Sequence, residues 1–331
     1  MTKLLHTPTL AAGLAGLIAL ATTAVAHPPP GTPSGSARHF AQSLSPALRK
    51  SLALSFDDPN RFAHTWLPGT RKGVALADLS SAQTAALRDL LHHVLTHLGN
   101  DRVDAILATE AALGVIEGSP SYRDPKKYYT TLFGTPGTNG RWALRFEGHH
   151  LSVNLTFEGD AIVAATPLFL GANPETIPAG PDKGLRALGK QVDLARKAFM
   201  ALTPEQQRIA TGGKEWFAGF LSSPGSRRAK LGAPGGLKVT EASEAAQGAI
   251  KDLIADYVGT ITERYAGPYL DWVGAEEWPH LTFSWSGEAK PGGTYYWRLQ
   301  GRRLLIEHDG QSGGSHIHSI WRDTEKDFGG Q

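Results

Sequence analysis

The chain of 331 residues contains no cysteine. This absence excludes disulfide bonds, thiolate metal ligands and a cysteine nucleophile, so the hydrophobic core must hold the fold and any bound metal needs nitrogen or oxygen donors. The chain also lacks an excess of charge, because 33 basic residues balance 31 acidic residues and leave a formal net charge of +2. That balance gives no argument for nucleic acid or an anionic membrane as a partner.

Long apolar runs are absent after residue 26, and the single run at the N-terminus predicts a secretory signal peptide, residues 1–26. Lys3 precedes an apolar stretch from Leu10 to Val25, and Ala24-Val25-Ala26 matches the small-residue pattern of a signal-peptidase site. We therefore expect cleavage after Ala26 and a periplasmic or extracellular mature protein. A stable membrane anchor is the alternative, but small and polar residues interrupt the stretch and no basic cluster follows it.

The mature sequence divides into a proline-rich start and one folded domain. Residues 27–36 are rich in proline, glycine and serine, a composition that predicts a disordered linker. Residues 37–331 predict a single α+β domain, since segments with helical periodicity come before and between two groups of strand-like segments. We expect an antiparallel sheet, built from residues of about 141–170 and 281–323, that packs against several α-helices.

The first strand region contains a change of register. Its apolar residues are even-numbered up to Phe146 and odd-numbered from Leu151 onward. Because side chains alternate between the two faces of a strand, one regular strand cannot place both sets on one buried face. A bulge or a strand break at Gly148 to His150 would reconcile the two sets. A strand that is covered on both faces is the alternative.

Histidines beside these strands indicate a metal site. His316 and His318 alternate along the last strand-like segment, so both project from one face, close enough to hold one metal ion. Such a pair is half of a site, and His149 and His150 at the predicted break are the candidate ligands from elsewhere in the chain. Glu307, one hairpin away, is the candidate carboxylate ligand and a candidate catalytic residue. Zinc, copper, iron and manganese are all compatible with imidazoles and a carboxylate.

Charged residues near these histidines suggest further roles. Arg322 shares the face of the histidine pair if the strand is regular, and is the candidate catalytic residue that would hold an anionic group of a small polar substrate. Asp323, Asp327 and Glu147 are candidates for orienting the imidazoles by hydrogen bonds. The simpler alternative is that the histidines are solvated or hydrogen-bond to one another.

A second histidine arrangement lies on a predicted helix. The pattern predicts one helix that begins near Ser80 and ends at Gly99, on which Asp89, His93 and His97 are spaced by four residues. Imidazoles at this spacing can bind zinc, but the glutamate of the zinc-protease motif is absent. Because histidines near a helix C-terminus are favourable without any metal, we prefer a structural explanation for this arrangement.

Many of these residues belong to a longer set of motifs that extends over nearly the whole mature chain. The set comprises Trp142, Glu147-Gly148-His149-His150-Leu151-Ser152-Val153-Asn154, Pro167-Leu168-Phe169-Leu170-Gly171, Tyr295-Tyr296, Gly301, Ile306-Glu307, His316-Ile317-His318-Ser319-Ile320-Trp321-Arg322-Asp323 and Asp327-Phe328-Gly329. It resembles the bacterial domain-of-unknown-function family 3500. The resemblance implies that these residues form one site, and it implies no particular reaction. The chain departs from the family pattern at His308, Arg302 and Ser315, where Tyr, Pro and Asn are expected, and it stops at Gln331 where family members continue.

Three functional hypotheses follow from these observations. The first is an exported metal-dependent enzyme, a hydrolase or an oxidoreductase. The second is a periplasmic protein that binds a metal or a small polar ligand without turnover. The third is a structural or interaction protein whose histidines hydrogen-bond to one another. An open coordination position beside a concave pocket would favour the first over the second, whereas a metal-free, hydrogen-bonded cluster would favour the third.

Overall fold

Helices and strands alternate in groups along the chain. A computed structural model describes residues 31–137, 139–212, 221–229 and 231–330. The α-helices in these residues are α1 (Pro33–Ser43), α2 (Pro46–Leu52), α3 (Ser81–Val94), α4 (His97–Ile116), α5 (Gly189–Met200), α6 (Pro204–Ala210), α7 (Glu244–Val258) and α8 (Glu263–Trp272). The strands are β1 (Ala53–Leu54), β2 (Val74–Ala75), β3 (Tyr129–Phe133), β4 (Arg141–Gly148), β5 (Leu151–Glu158), β6 (Ala161–Ala164), β7 (Leu168–Ala172), β8 (Leu237–Lys238), β9 (Thr282–Gly287), β10 (Tyr295–Gln300), β11 (Leu304–Gln311) and β12 (His316–Asp323). The described residues from Gly31 onward form one compact unit. None of the described helices has the length and apolar character needed to cross a membrane, and the predicted signal peptide lies outside the described residues.

The described strands join in one sheet. Its order is β1-β3-β4-β5-β7-β12-β11-β10-β9-β8, with β2 paired to β3 and β6 paired to β5. The pair of β1 and β3 is parallel, and the other pairs are antiparallel. The predicted α+β class is therefore confirmed, and the two predicted strand groups meet where β7 pairs with β12. Strands β1 to β3 and β8 extend the sheet beyond the prediction.

The two faces of this sheet differ in chemistry. Large apolar side chains such as Trp142, Leu155 and Trp297 lie on one face and share a single hydrophobic core with residues of α3, α5 and α7. The opposite face, which we call the polar face, carries charged and amide side chains that are at most 6 % exposed: Arg145, Glu147, Asn154, Arg298, Glu307 and Arg322. Backbone groups of residues 60–65 and 221–227 hydrogen-bond to these side chains. Two loops therefore cover part of the polar face.

The β4–β5 hairpin explains the change of register. Strand β4 ends at Gly148 and β5 begins at Leu151, so His149 and His150 form the turn between them. Phe146 lies opposite Val153 in this hairpin. Even-numbered residues of β4 and odd-numbered residues of β5 therefore share the apolar face. The strand break that was predicted at Gly148 to His150 is confirmed.

The helix predicted from Ser80 to Gly99 is two helices. Helix α3 ends at Val94, and the Thr96 side chain caps α4 by accepting a hydrogen bond from the Gly99 amide at 3.1 Å. Gly99 does not stop a helix. A Cβ atom at this position would lie 2.2 Å from the carbonyl oxygen of Thr260, so glycine permits close packing of α4 against the end of α7.

The segment predicted as a disordered linker, residues 27–36, is helical in its last part. Helix α1 begins at Pro33, and the Thr32 side chain caps it. The Ser34 amide also donates a hydrogen bond to Asp160 Oδ1 at 2.8 Å. A cap, a proline in the first turn and this contact favour a helix despite the linker-like composition. Residues 27–30 lie outside the described residues.

Candidate metal centre

Three histidines from two distant parts of the sequence lie together at one end of the polar face. His150 is in the β4–β5 turn, and His316 and His318 are on β12. Strand β7 brings them together, because it pairs with β5 on one side and with β12 on the other. One ring nitrogen of each histidine lies within 4.8 Å of the other two. We call these residues the three-histidine group.

The spacing within the three-histidine group suits metal coordination. His150 Nε2 lies 3.2 Å from His316 Nε2. A tetrahedral ion with metal–nitrogen bonds of about 2.0–2.1 Å holds its ligand atoms about 3.3–3.4 Å apart, which is close to this separation. The ring centroids of His316 and His318 are 4.4 Å apart. All three imidazoles can therefore converge on one ion with small side-chain movements.

His150 has an unusual backbone conformation for a side chain with a Cβ atom. Its φ is 104°, and a residue other than glycine in this region costs about 1–3 kcal/mol. Its carbonyl oxygen accepts a hydrogen bond from the Gly171 amide at 2.7 Å. A Cβ atom on Gly171 would lie 3.1 Å from the His150 ring, so glycine at this position leaves room for the buried imidazole. The turn thus directs His150 into the three-histidine group.

Asp309 orients the third imidazole. It lies directly opposite His318 in the β11–β12 pair, and its Oδ1 is 3.2 Å from His318 Nδ1. The same oxygen accepts a hydrogen bond from the His318 amide at 3.2 Å, while Oδ2 accepts one from the Gln311 side chain at 2.9 Å. A carboxylate on one ring nitrogen is an arrangement that metal-binding histidines commonly use, because it fixes the orientation of the ring.

Burial keeps two of these imidazoles neutral at pH 7. The pKa of His150 lies well below its usual value because the ring is buried and because a charged neighbouring histidine would repel its charged form. Burial, followed by the proximity of His318, lowers the pKa of His316 to about 4. The neutral imidazole is the form that binds a metal ion.

His149, which was predicted as a ligand, is outside the three-histidine group. Its Nδ1 lies 2.5 Å from Oε2 of Glu110 on α4, and Arg123 Nη1 lies 3.2 Å from its Nε2. Its ring nevertheless packs on the His150 ring, with centroids 3.7 Å apart. Of the two turn histidines, the structure places His150 with the β12 pair and His149 against α4.

Glu307 also lies outside the three-histidine group. The register places it opposite Ile320 rather than His318, one pair further along the same face. Its Oε1 accepts hydrogen bonds from the Leu221 amide at 2.8 Å and from the Tyr296 hydroxyl at 2.7 Å. Its Oε2 is buried without a hydrogen-bond partner among the described residues, and burial raises the pKa of this carboxyl group.

Arg322, the predicted anion-binding residue, is fully buried on the polar face. Its Nε donates to Asp327 Oδ2 at 2.7 Å, and Nη1 donates to the Ser222 and Ser226 hydroxyls. Its Nη2 donates to the backbone oxygens of Ser226 and Arg227. These contacts use the five N–H groups of the guanidinium. Arg322 therefore joins β12 to residues 222–227 and has no spare N–H group for a substrate anion.

The carboxylates predicted to orient the imidazoles, Asp323, Asp327 and Glu147, instead pair with arginines. Asp309 has that role, and the sequence contains a signal for it. If the turn is centred between Gly313 and Gly314, residue 309 must lie opposite residue 318, as it does.

His93 and His97 do not form a pair in the structure, because they belong to α3 and α4 respectively. His93 Nδ1 lies 2.8 Å from the backbone oxygen of Asp89, and its Nε2 accepts a hydrogen bond from the Gly31 amide at 3.1 Å. These contacts agree with the structural explanation.

A pocket of about 160 Å³ is lined by His149, but not by any member of the three-histidine group. The ring of His149 packs on the ring of His150. The other lining residues include Glu110, Asp124, Lys127, Tyr122, Tyr128 and Tyr129. The lining of the pocket therefore combines charges of both signs with aromatic surface.

Comparisons with known proteins identify the family. Residues 34–330 match the model of a family described as "Protein of unknown function (DUF3500)". No curated protein and no solved structure matches the chain. Because the match covers nearly the whole chain and includes every residue of the three-histidine group, the chain belongs to the DUF3500 family.

Proposed function

We propose that the protein binds one divalent transition-metal ion through His150, His316 and His318, and that this ion is the centre of an exported metal-dependent enzyme. The observation that carries the proposal is the convergence of three imidazole nitrogens within 4.8 Å from segments that are far apart in the sequence. Three imidazoles without a carboxylate suit zinc, copper or iron better than manganese, which prefers oxygen ligands.

The residues around the group support an enzyme rather than a storage site. Three protein ligands leave a coordination position open, as in catalytic zinc sites. In that position a bound ion supplies Lewis acidity and a water molecule of lowered pKa. The pocket lined by His149 has room for a small substrate, and its wall carries the carboxylates Glu110 and Asp124 beside the ammonium group of Lys127.

Measuring the metal content of protein purified without a histidine tag tests the proposal. We expect about one equivalent of metal per chain, and each of His150→Ala, His316→Ala and His318→Ala should remove most of it. The losses should not add, because one missing ligand already leaves the site incomplete. The matched control, His93→Ala with His97→Ala, should retain full metal content.

Two results of the metal measurement would contradict the proposal. Wild-type protein that takes up no zinc, copper or iron on reconstitution would indicate that His150 and His316 hydrogen-bond to each other at their 3.2 Å separation. Loss of metal in the control variant alone would place the site at His93 and His97.

A second experiment separates the enzyme from a binding protein. Cobalt-substituted protein should change its visible spectrum when azide is added, because azide can enter an open coordination position. A spectrum that does not respond to azide would indicate a closed site and favour metal binding without turnover. Export is tested by fractionation of the native host, where the protein should be found outside the cytoplasm.

A further inference from the structure

Helix α4 holds the β4–β5 turn from outside the sheet. Glu110 on α4 is only 4 % exposed, and its Oε2 lies 2.5 Å from His149 Nδ1. The Tyr128 hydroxyl donates a hydrogen bond to the carbonyl oxygen of the same histidine. His149 is thus fixed at its side chain and at its backbone, although it is not one of the converging ligands.

The fixed position of His149 bears directly on the neighbouring ligand. The rings of His149 and His150 pack with centroids 3.7 Å apart, and the two residues share a peptide bond. On its other side His150 is held by the Gly171 amide. The left-handed backbone of His150 is therefore held by two contacts. One is the hydrogen bond from Gly171 within the sheet, and the other is the contact of the neighbouring His149 with Glu110 on α4.

We propose that Glu110, acting through His149, is a positioning residue for the metal ligand His150. The proposal rests on the proposed function, because positioning matters only if His150 binds a metal. Without the carboxylate, the His149 ring is free to leave α4, and the turn relaxes toward ordinary backbone angles. The His150 imidazole then moves away from His316, and the metal loses its third ligand.

Glu117 provides a matched control on the same helical segment, at the C-cap of α4. Its carboxylate binds Arg123 at 2.7 Å, and Arg123 in turn contacts His149. Glu117 therefore shares the charged neighbour of Glu110 but does not contact the turn histidine itself. An effect of Glu110 that arose only from local charge would appear in both variants.

The test measures two properties of Glu110→Ala, Glu110→Gln, His149→Phe and Glu117→Gln in the full chain. The first is zinc affinity by competition with a chromogenic chelator, and the second is hydrogen exchange of the Gly171 amide in metal-free protein. Glu110→Ala and His149→Phe should weaken zinc binding about 10- to 100-fold, as loss of a residue that orients ligands commonly does. Their Gly171 amide should exchange at least about tenfold faster than wild type, because the bond to His150 opens more often. Glu110→Gln, which keeps an acceptor oxygen, should restore part of both properties, and Glu117→Gln should match wild type.

The two measurements separate this proposal from the proposed function. Wild-type affinity for zinc in Glu110→Ala and His149→Phe would overturn the positioning role whatever the exchange rates are. If wild-type protein binds no zinc, copper or iron, the proposed function fails, and Gly171 exchange alone judges whether Glu110 holds the turn. Unchanged exchange in both variants would then overturn that role as well. Should Glu110→Ala fail to fold, the zinc affinity and Gly171 exchange of His149→Phe test the same contact, because this variant removes the imidazole that binds Glu110 but keeps an aromatic ring against His150.

Discussion

Replacing His150 by glycine and by alanine tests whether the strained turn exists in solution and serves the site. Both substitutions remove the imidazole, so both should abolish metal binding, and the loss of ring contacts is common to the two variants. They differ in what the backbone must do at a φ of 104°. Alanine keeps the strain, whereas glycine adopts positive φ freely.

The size of the difference follows from two opposing terms. A residue with a Cβ atom in the left-handed region costs about 1–2 kcal/mol, which glycine avoids. Glycine loses more chain entropy on folding, which costs about 0.5–1 kcal/mol relative to alanine. The midpoints of these two ranges differ by about 0.75 kcal/mol, and their limits by about 0–1.5 kcal/mol. The His150→Gly variant should therefore be more stable than His150→Ala by about 0.75 kcal/mol, which reverses the usual order of these residues in ordered structure.

Urea denaturation in the presence of a chelator measures this difference. The control is the same pair of substitutions at His149, which is not among the described residues with positive φ. There the usual order should hold, with alanine more stable than glycine. If alanine at position 150 is more stable than glycine, as it should be at position 149, the turn does not have the left-handed conformation in solution. If either His150 variant retains its metal, this histidine is not a ligand.

Asp309→Asn should weaken zinc binding about 10- to 100-fold in calorimetric titration, because it removes the carboxylate that orients His318; unchanged affinity would refute that role. Burial lowers the pKa of His308 to about 3. Below about pH 6.5 the unfolded chain therefore takes up a proton that the folded chain does not, and the free energy of unfolding decreases by up to about 1.4 kcal/mol for each unit by which the pH is lowered. His308→Gln should reduce the pH dependence of the free energy of unfolding, measured by urea denaturation between pH 7 and pH 5. An unchanged pH dependence would show that His308 does not contribute to it. Arg322→Met should lower the free energy of unfolding by about 3–5 kcal/mol, because Asp327 is left buried without its partner. Adding Asp327→Leu should recover part of that loss, and a double variant as unstable as the single one would argue against the pair. Intact-mass measurement of exported protein should give a chain that begins at His27, whereas a retained segment from Leu10 to Val25 would contradict the signal peptide.

The alternation of side chains along a strand predicts which of its residues lie on the same face, but it does not predict the register between neighbouring strands. His316 and His318 were expected on one face, and they lie there. Glu307 also lies on that face, yet it is one pair away from His318, and Asp309 takes the opposite position. Register depends on where the turn is centred, and Gly313 and Gly314 mark that centre. A prediction that began from the turn would have chosen Asp309.

The roles of His149 and His150 could not be assigned from sequence for a different reason. Both residues occupy a two-residue turn, and the backbone φ of each determines where its side chain points. Left-handed φ is uncommon for histidine, so no local pattern assigns it to His150. The deciding contacts come from Gly171 and Glu110, which are distant in the sequence and reach the turn only after the sheet and α4 have packed.

Long-range packing also decides where the third and fourth helices separate. Hydrophobic periodicity continues through Leu95 to Leu98, and glycine at position 99 is a common helix terminator. In the structure the break comes earlier, because the Leu95 backbone bridges to Ile261 and the Thr96 amide donates to the Thr260 carbonyl. These partners are far away in the sequence, so local pattern could not reveal the break. Its consequence is that His93 and His97 belong to different helices and cannot act as an i, i+4 pair.

The polar face explains why the histidines, rather than Glu307 or Arg322, are placed for chemistry. Along β12 this face changes from half-buried imidazoles at His316 and His318 to the fully buried guanidinium of Arg322. The covering loops at residues 60–65 and 221–227 hydrogen-bond to the inner charges, and buried charges require such fixed partners because an unpaired one is costly. Each partner that stabilises an inner charge also occupies an atom that could meet a substrate, and the Glu307 oxygen without such a partner in the described part of the chain, Oε2, is itself buried. Burial keeps the His316 imidazole neutral, so it needs no counter-ion and can remain half-buried at the outer end of the face. Among the described residues of the polar face, the three-histidine group therefore offers the proposed metal ion both ligands and access from solvent.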